Sequence, residues 1–436
     1  MSPVKAFVIF ALALTSVSAR AQIDLSLARG YFEQLKQTAG ADAGRTWGRP
    51  LYGGIFFVDE STHEVVANEA DPKGVLKPRE GVWTGTLPKD LSPANTAIDW
   101  LGIRWTMVLW PVNDFRQPRE RLLFHECFHR IQEDLGLPAR NAVNNHLDTA
   151  QGRIWLELEW RALERALRQP GPVRKSAIAD ALLFRAYRRS LFPDAAVNEN
   201  RLELNEGLAE YTGIKLSSES TEELVFRADR ALRNDASKDS LARSFAYTSG
   251  PAFGALLDLS GREWRKKVAA EGDLGRLLAT SYGVNEAKAD RQVAVAAASR
   301  YESAEVIAQE TRRAEQRQVQ IAAARKRFVE SPALILPLSK DVDYSFDPNN
   351  IVAVDALNTI YPTMRLVDAW GILQVSEGAW LTRDPSGALI RAQVGAPQSS
   401  AVPVKGQGWS LELNEGWKIV AGERPGDLKV VKASAN

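Results

Sequence analysis

The sequence predicts an α+β protein with a strand-rich N-terminal lobe, a mainly helical lobe, a long connecting helix and an all-β C-terminal domain. Three observations predict it. Between Pro50 and Pro111, short β-branched and aromatic runs are separated by clusters of Asp, Pro, Gly and Ser. From about 118 to 281, apolar residues recur at helical spacing. After Ser331 the short strand-like runs return and continue to the end.

Taken in order, the chain opens with Lys5, the apolar run from Ala6 to Leu14, and Ala19-Arg20-Ala21 as a small-residue cleavage site. That pattern predicts a secretory signal peptide over 1–21 and an exported, periplasmic or secreted product. No later segment holds 18 uninterrupted apolar residues, so the mature chain is expected to have no membrane span. Lys+Arg (55) and Asp+Glu (54) nearly cancel, which leaves no basic field for nucleic acid. A single cysteine, Cys127, rules out an intramolecular disulfide and reads as a small core residue.

A first helix is expected near 24–38. Strand-like runs follow at 51–58, 64–67, 82–87 and 97–109. The next helix runs from about 118, with Pro118 in its first turn, to the stop signals Gly136 and Pro138. Helical patterns continue at about 152–168, 174–191, 199–216, 221–235, 238–259 and 262–281. The stretch 285–329 has no Gly or Pro and reads as one long solvated connecting helix or a broken pair. A first domain over 22–283, strand-rich at 45–112 and helical at 118–283, is thus followed by a connector at 284–330. The β-rich domain occupies 331–436, with turn signals such as Asp384-Pro385-Ser386-Gly387 and no histidine or cysteine.

The helix at 118–135 carries the chemistry. It contains His125-Glu126-Cys127-Phe128-His129. Residues four apart share a helical face, so both imidazoles can meet one metal ion, and Glu126 can reach a water beside it. A catalytic zinc takes three protein ligands and leaves one position open. Gln132 and Leu135 stand where a metzincin needs Gly and His, so the third ligand comes from elsewhere. His63 and His146 are the other histidines; His63 lies in a turn-like stretch and His146 reads as a surface or capping residue. Glu157 and Glu159 in Trp155-Leu-Glu-Leu-Glu-Trp160 are rival acids.

The segment Leu204-Asn205-Glu206-Gly207-Leu208-Ala209 resembles the Asn-Glu-x-x-Ala segment of the gluzincin peptidases, the thermolysin-like and alanyl-aminopeptidase-like enzymes. The resemblance covers roughly 97–260. It implies one Zn²⁺, with Glu206 as third ligand beside His125 and His129, and Asn205 and Glu210 in supporting positions. Glu210 would hydrogen-bond a ligand histidine. Tyr247-Thr-Ser-Gly250 resembles the Tyr-x-Lys-Gly stretch of the aminopeptidase-like members, with Ser249 where Lys is usual; it implies an oxyanion-stabilising Tyr247. Between His129 and Glu206 stand 76 residues, and the helices at 152–168 and 174–191 read as an insertion there. No Gly-x-Met-x-Asn segment precedes the motif.

The expectation is therefore an exported zinc peptidase acting on peptides or proteins, with Glu126 as general base and Tyr247 opposite the metal. The run 103–110 stands where gluzincins place the sheet edge that pairs with an extended substrate. Two other readings carry the same residues: a secreted binding or assembly protein with a structural metal, and a zinc amidase acting on a cell-wall component.

Overall fold

A computed structural model describes residues 23–433 except 140, 141, 143, 286, 287, 348, 349, 356 and 400–402. The leader expected at 1–21 lies outside the described residues. The architecture is mixed, with the helices in the middle of the chain and a strand-rich C-terminal region.

Helix α1 (Leu25–Asp42) starts at Asp24, whose carboxylate accepts from Leu27 N. Six strands follow: β1 (Ile55–Asp59), β2 (Glu64–Ala67), β3 (Lys77–Arg79), β4 (Val82–Thr86), β5 (Thr96–Trp100) and β6 (Ile103–Trp110). They form one sheet in the order β3-β4-β2-β1-β6-β5, with β1 and β6 parallel and the other pairs antiparallel. The run expected as one strand at 97–109 is a hairpin. Leu101 (φ 53°) and Gly102 (φ 92°) supply its two left-handed turn residues. The expectation for 103–110 is corrected accordingly. β6 is paired on both sides, by β1 and β5, and the edge of the sheet on this side is β5.

Alternation gives the sheet two buried faces. Phe57, Val66 and Val108 face the helices, whereas Phe56, Val58, Val65, Trp105 and Met107 pack under the loops of the other side. Helix α2 (Arg116–Ile131) lies on the first face and buries Leu123, Phe124, Cys127 and Phe128 there. Cys127 is fully buried against Thr106 of β6, and burial pushes its thiol up to about 11.

The helical body comprises α3 (Ala150–Arg168), α4 (Gly171–Ser190), α5 (Ala195–Leu202), α6 (Leu208–Leu216), α7 (Thr221–Asp235), α8 (Phe245–Leu259), α9 (Val268–Glu271) and α10 (Leu274–Tyr282). α5 runs into α6 through one π turn, Glu203–Gly207. α3 and α4 share the main core through Leu156, Leu163, Ala181 and Phe184. They also bury an ion network: Arg185 with Glu159 and Glu203, Arg188 with Glu159 and Glu199, and Arg189 with Glu199 and Asp273. Charges this deep are held by being paired.

Helices α11 (Arg291–Ala298) and α12 (Ser303–Arg325) are separated by Glu302 at φ 53°. The broken pair is therefore the form this stretch takes, but it is not simply solvated. Ala294, Ala297, Ala298, Tyr301 and Val306 join the main core, and buried Glu310 pairs with Arg153 at 2.7 Å. Beyond it, a seven-stranded and a six-stranded sheet face each other across Leu334, Leu366, Leu373, Leu381 and Val394, forming a sandwich. Among the described residues, no helix is long and apolar enough to cross a membrane.

Candidate metal centre

Helix α2 presents His125 and His129 one turn apart on the face away from the sheet. Helix α6 and its π turn lie alongside and bring Glu206 to the same point. His125 Nε2 stands 3.2 Å from His129 Nε2, and Glu206 Oε2 stands 3.4 Å from the first and 3.7 Å from the second. The three atoms lie within 4.8 Å of one another, so His125, His129 and Glu206 can hold a metal ion.

The opposite ring nitrogens are fixed. His125 Nδ1 meets Glu210 Oε2 at 3.1 Å, and Glu210 is paired in turn with Arg121. His129 Nδ1 meets Gln132 Oε1 at 2.8 Å. Gln132 Nε2 donates to Asn205 Oδ1 at 3.0 Å, and Asn205 Nδ2 donates to Glu206 Oε1 at 3.2 Å. Each histidine thus has an acceptor on Nδ1, which leaves Nε2 with its lone pair toward the cluster. Burial opposes a proton on His125, yet Glu206 and Glu210 outweigh it and push its pKa up to about 10. Burial pushes Glu206 up as well, but the two histidines hold it below the usual carboxylate range.

Tyr247, near the start of α8, completes the group. Its ring stacks on that of His125 at 5.6 Å and 3°, and its hydroxyl donates to Glu206 Oε2 at 2.6 Å. Two glycines make this approach possible. A Cβ on Gly250 would stand 2.3 Å from Gly207 Cα, so the helices could not cross as closely with any side chain there. Burial, then Glu206, raise the Tyr247 pKa and keep the phenol protonated.

Glu126 is 5% exposed, and its Oε2 has no hydrogen-bond partner among the described residues. Burial pushes its carboxyl up, and the two histidines draw it partly back. An orphaned carboxylate oxygen beside a nitrogen–carboxylate cluster suits a site that expects water and a cation. His125, Glu126, His129, Asn205, Glu206, Glu210 and Tyr247 line one cleft of about 660 Å³, together with Asn95, Thr96 and Ala97 at and beside the edge strand β5, and with Arg104 and Arg243.

The structure brings together all seven residues singled out from the sequence: His125, Glu126, His129, Asn205, Glu206, Glu210 and Tyr247. It separates the rivals. Glu157 pairs with Arg161 at 2.9 Å, and Glu159 is enclosed by Arg185 and Arg188. His146 bonds Glu199 at 2.8 Å, and His63 sits at φ 59° with Nδ1 3.3 Å from Leu87 O. Arg161 and Arg168 on α3 pair with Glu157 and Glu302 and with Glu164 and Asp229. Gln132 and Arg121 were missed as supports. Gln132 lies three residues beyond His129 on the same helical face, which is the signal that would have found it.

Comparison with models of known protein families, with curated proteins and with solved structures finds no match to this chain.

Proposed function

We propose that this chain is an exported zinc-dependent peptidase that hydrolyses peptide bonds in the cleft beside β5. The observation that carries the reading is the convergence of His125 Nε2, His129 Nε2 and Glu206 Oε2 beside Glu126, whose Oε2 has no partner among the described residues. Two imidazoles and one carboxylate, each fixed from behind, suit a single zinc with a position left open. Zinc held there supplies a Lewis acid for a carbonyl oxygen and lowers the pKa of water into the neutral range.

The chain's own residues account for the rest. Glu126, buried and free at Oε2, takes the proton of the attacking water and passes it to the leaving nitrogen. The Tyr247 hydroxyl, now bonded to Glu206, is free to turn its proton toward the oxyanion that forms on the substrate carbonyl. Glu210 and Gln132 hold the two imidazole rings in place. The outer edge of β5 offers unpaired backbone groups to an extended peptide, which would align it along the cleft.

A purely structural metal would have no use for Glu126, so a binding role on this scaffold is the weaker reading. The test is metal analysis with peptide-library hydrolysis, on wild type and on Glu126→Gln. Wild type should bind one zinc and cleave. Glu126→Gln should keep the zinc and lose about 10²–10⁴ in rate. Full activity in Glu126→Gln, or a zinc-loaded wild type that cleaves nothing, overturns the reading.

A further inference from the structure

The cleft contains three arginines, and two are already neutralised. Arg121 is paired with Glu210, and Arg104 with Asp99 at 2.8 Å and Glu133 at 3.6 Å. Arg243 is different. It is half-buried, lines the same cleft, and makes no hydrogen bond or ion pair among the described residues. Tyr247, four residues further along the chain, lines the same cleft.

Its backbone is well fixed. Leu241 N donates to Asp148 Oδ1 at 2.7 Å, Asn144 N donates to Ala242 O at 3.2 Å, and the neighbours Ala242 and Ser244 are buried. A guanidinium held on a rigid turn, partly out of water and without a counter-ion, is placed to receive an anion. At neutral pH a peptide's anions are carboxylates, and the planar guanidinium matches a carboxylate through two parallel hydrogen bonds.

We infer that Arg243 anchors a substrate carboxylate, so that the cleft selects peptides with an acidic group close to the bond held at the histidine pair. This deepens the peptidase reading and rests on it. The carboxylate can be a C-terminus or an Asp or Glu side chain, and the experiment separates the two.

Zinc-loaded Glu126→Gln protein, unable to turn over, is titrated calorimetrically with three N-acetylated alanine pentapeptides. One ends in a free carboxylate, one in an amide, and one in an amide with a central Asp. At least one acidic peptide should bind about ten- to a hundredfold more tightly than the neutral one. Preference for the free C-terminus identifies a terminal anchor, and preference for the Asp peptide a side-chain anchor. Adding Arg243→Ala should bring the ratio close to one, and Arg243→Lys should retain part of it. Should Arg243→Ala fail to fold, Arg243→Gln carries the comparison. Equal binding of all three peptides, binding of none, or a preference that survives loss of Arg243 overturns the inference. Hydrolysis of the same peptides by wild type reports on the peptidase reading separately.

Discussion

Replacing Gln132 by Leu tests whether the site depends on the bonds behind its ligands. Gln132 is fully buried, and its amide is shared between two partners. Oε1 accepts from His129 Nδ1 at 2.8 Å, and Nε2 donates to Asn205 Oδ1 at 3.0 Å. Leucine has a similar volume but makes neither bond. His129 then loses the acceptor that sets its tautomer and orientation. Loss of such a partner lowers metal affinity about 10–100-fold, which is about 1.4–2.7 kcal/mol. The stranded His129 Nδ1–H costs the metal-free fold a further ~1–3 kcal/mol. The assay is zinc competition against a chromophoric chelator, run beside urea unfolding of the metal-free chain. Zinc affinity within about twofold of wild type, together with the stability loss, would refute the reasoning: Gln132 would then be a core polar residue with no bearing on His129.

Three further outcomes are expected. Glu206→Ala should reduce bound zinc from one equivalent to a small fraction; equal metal content removes Glu206 from the ligand set. Tyr247→Phe removes the hydroxyl that reaches Glu206 Oε2 and should lower kcat by about 10²–10³ with zinc retained, so an unchanged kcat excludes the oxyanion role. Asp273 provides a pH dependence. Burial pushes its carboxyl up, but Arg185 and Arg189 outweigh it and hold it below the usual range. Its contribution to stability is complete above the unfolded value of about 3.9 and is lost as pH falls through the folded one. Asp273→Asn, which keeps a side-chain acceptor for Gly275 N, should therefore lose unfolding free energy less steeply than wild type on acidification below about pH 5. Equal slopes in acid urea titrations count against the pairing.

The histidine–carboxylate constellation was legible because its spacing is local. Two histidines four apart on a helix share a face, and Glu206 and Glu210, also four apart, repeat the logic at the start of α6. What escaped was whatever depended on partners distant in the chain. Arg121 has no signature until α6 is laid against α2, and neither does the bond from Gln132 to Asn205. The edge strand was misplaced because the hairpin turn is Leu101-Gly102, and the leucine hides a turn inside an apolar run. The stretch 285–329 looked solvated because alanine marks a buried face weakly and because Glu310 finds its counter-charge in Arg153, 157 residues away. The supposed insertion α3–α4 showed no function in sequence, yet its arginines grip Glu199 and Glu203 just ahead of the ligand segment.

The π turn at Glu203–Gly207 has a mechanical meaning. A π turn carries one residue more than the α-helix that would replace it, which offsets the two halves of the helix by about 100° in phase. On one side, Glu203 meshes with Arg185; on the other, Glu206 and Glu210 mesh with the histidines of α2. The extra residue works like a keyed shaft that sets two gears at a fixed angle. Deleting one residue, for example Leu204, would give a smoother helix with both gears intact, and only one of them could engage.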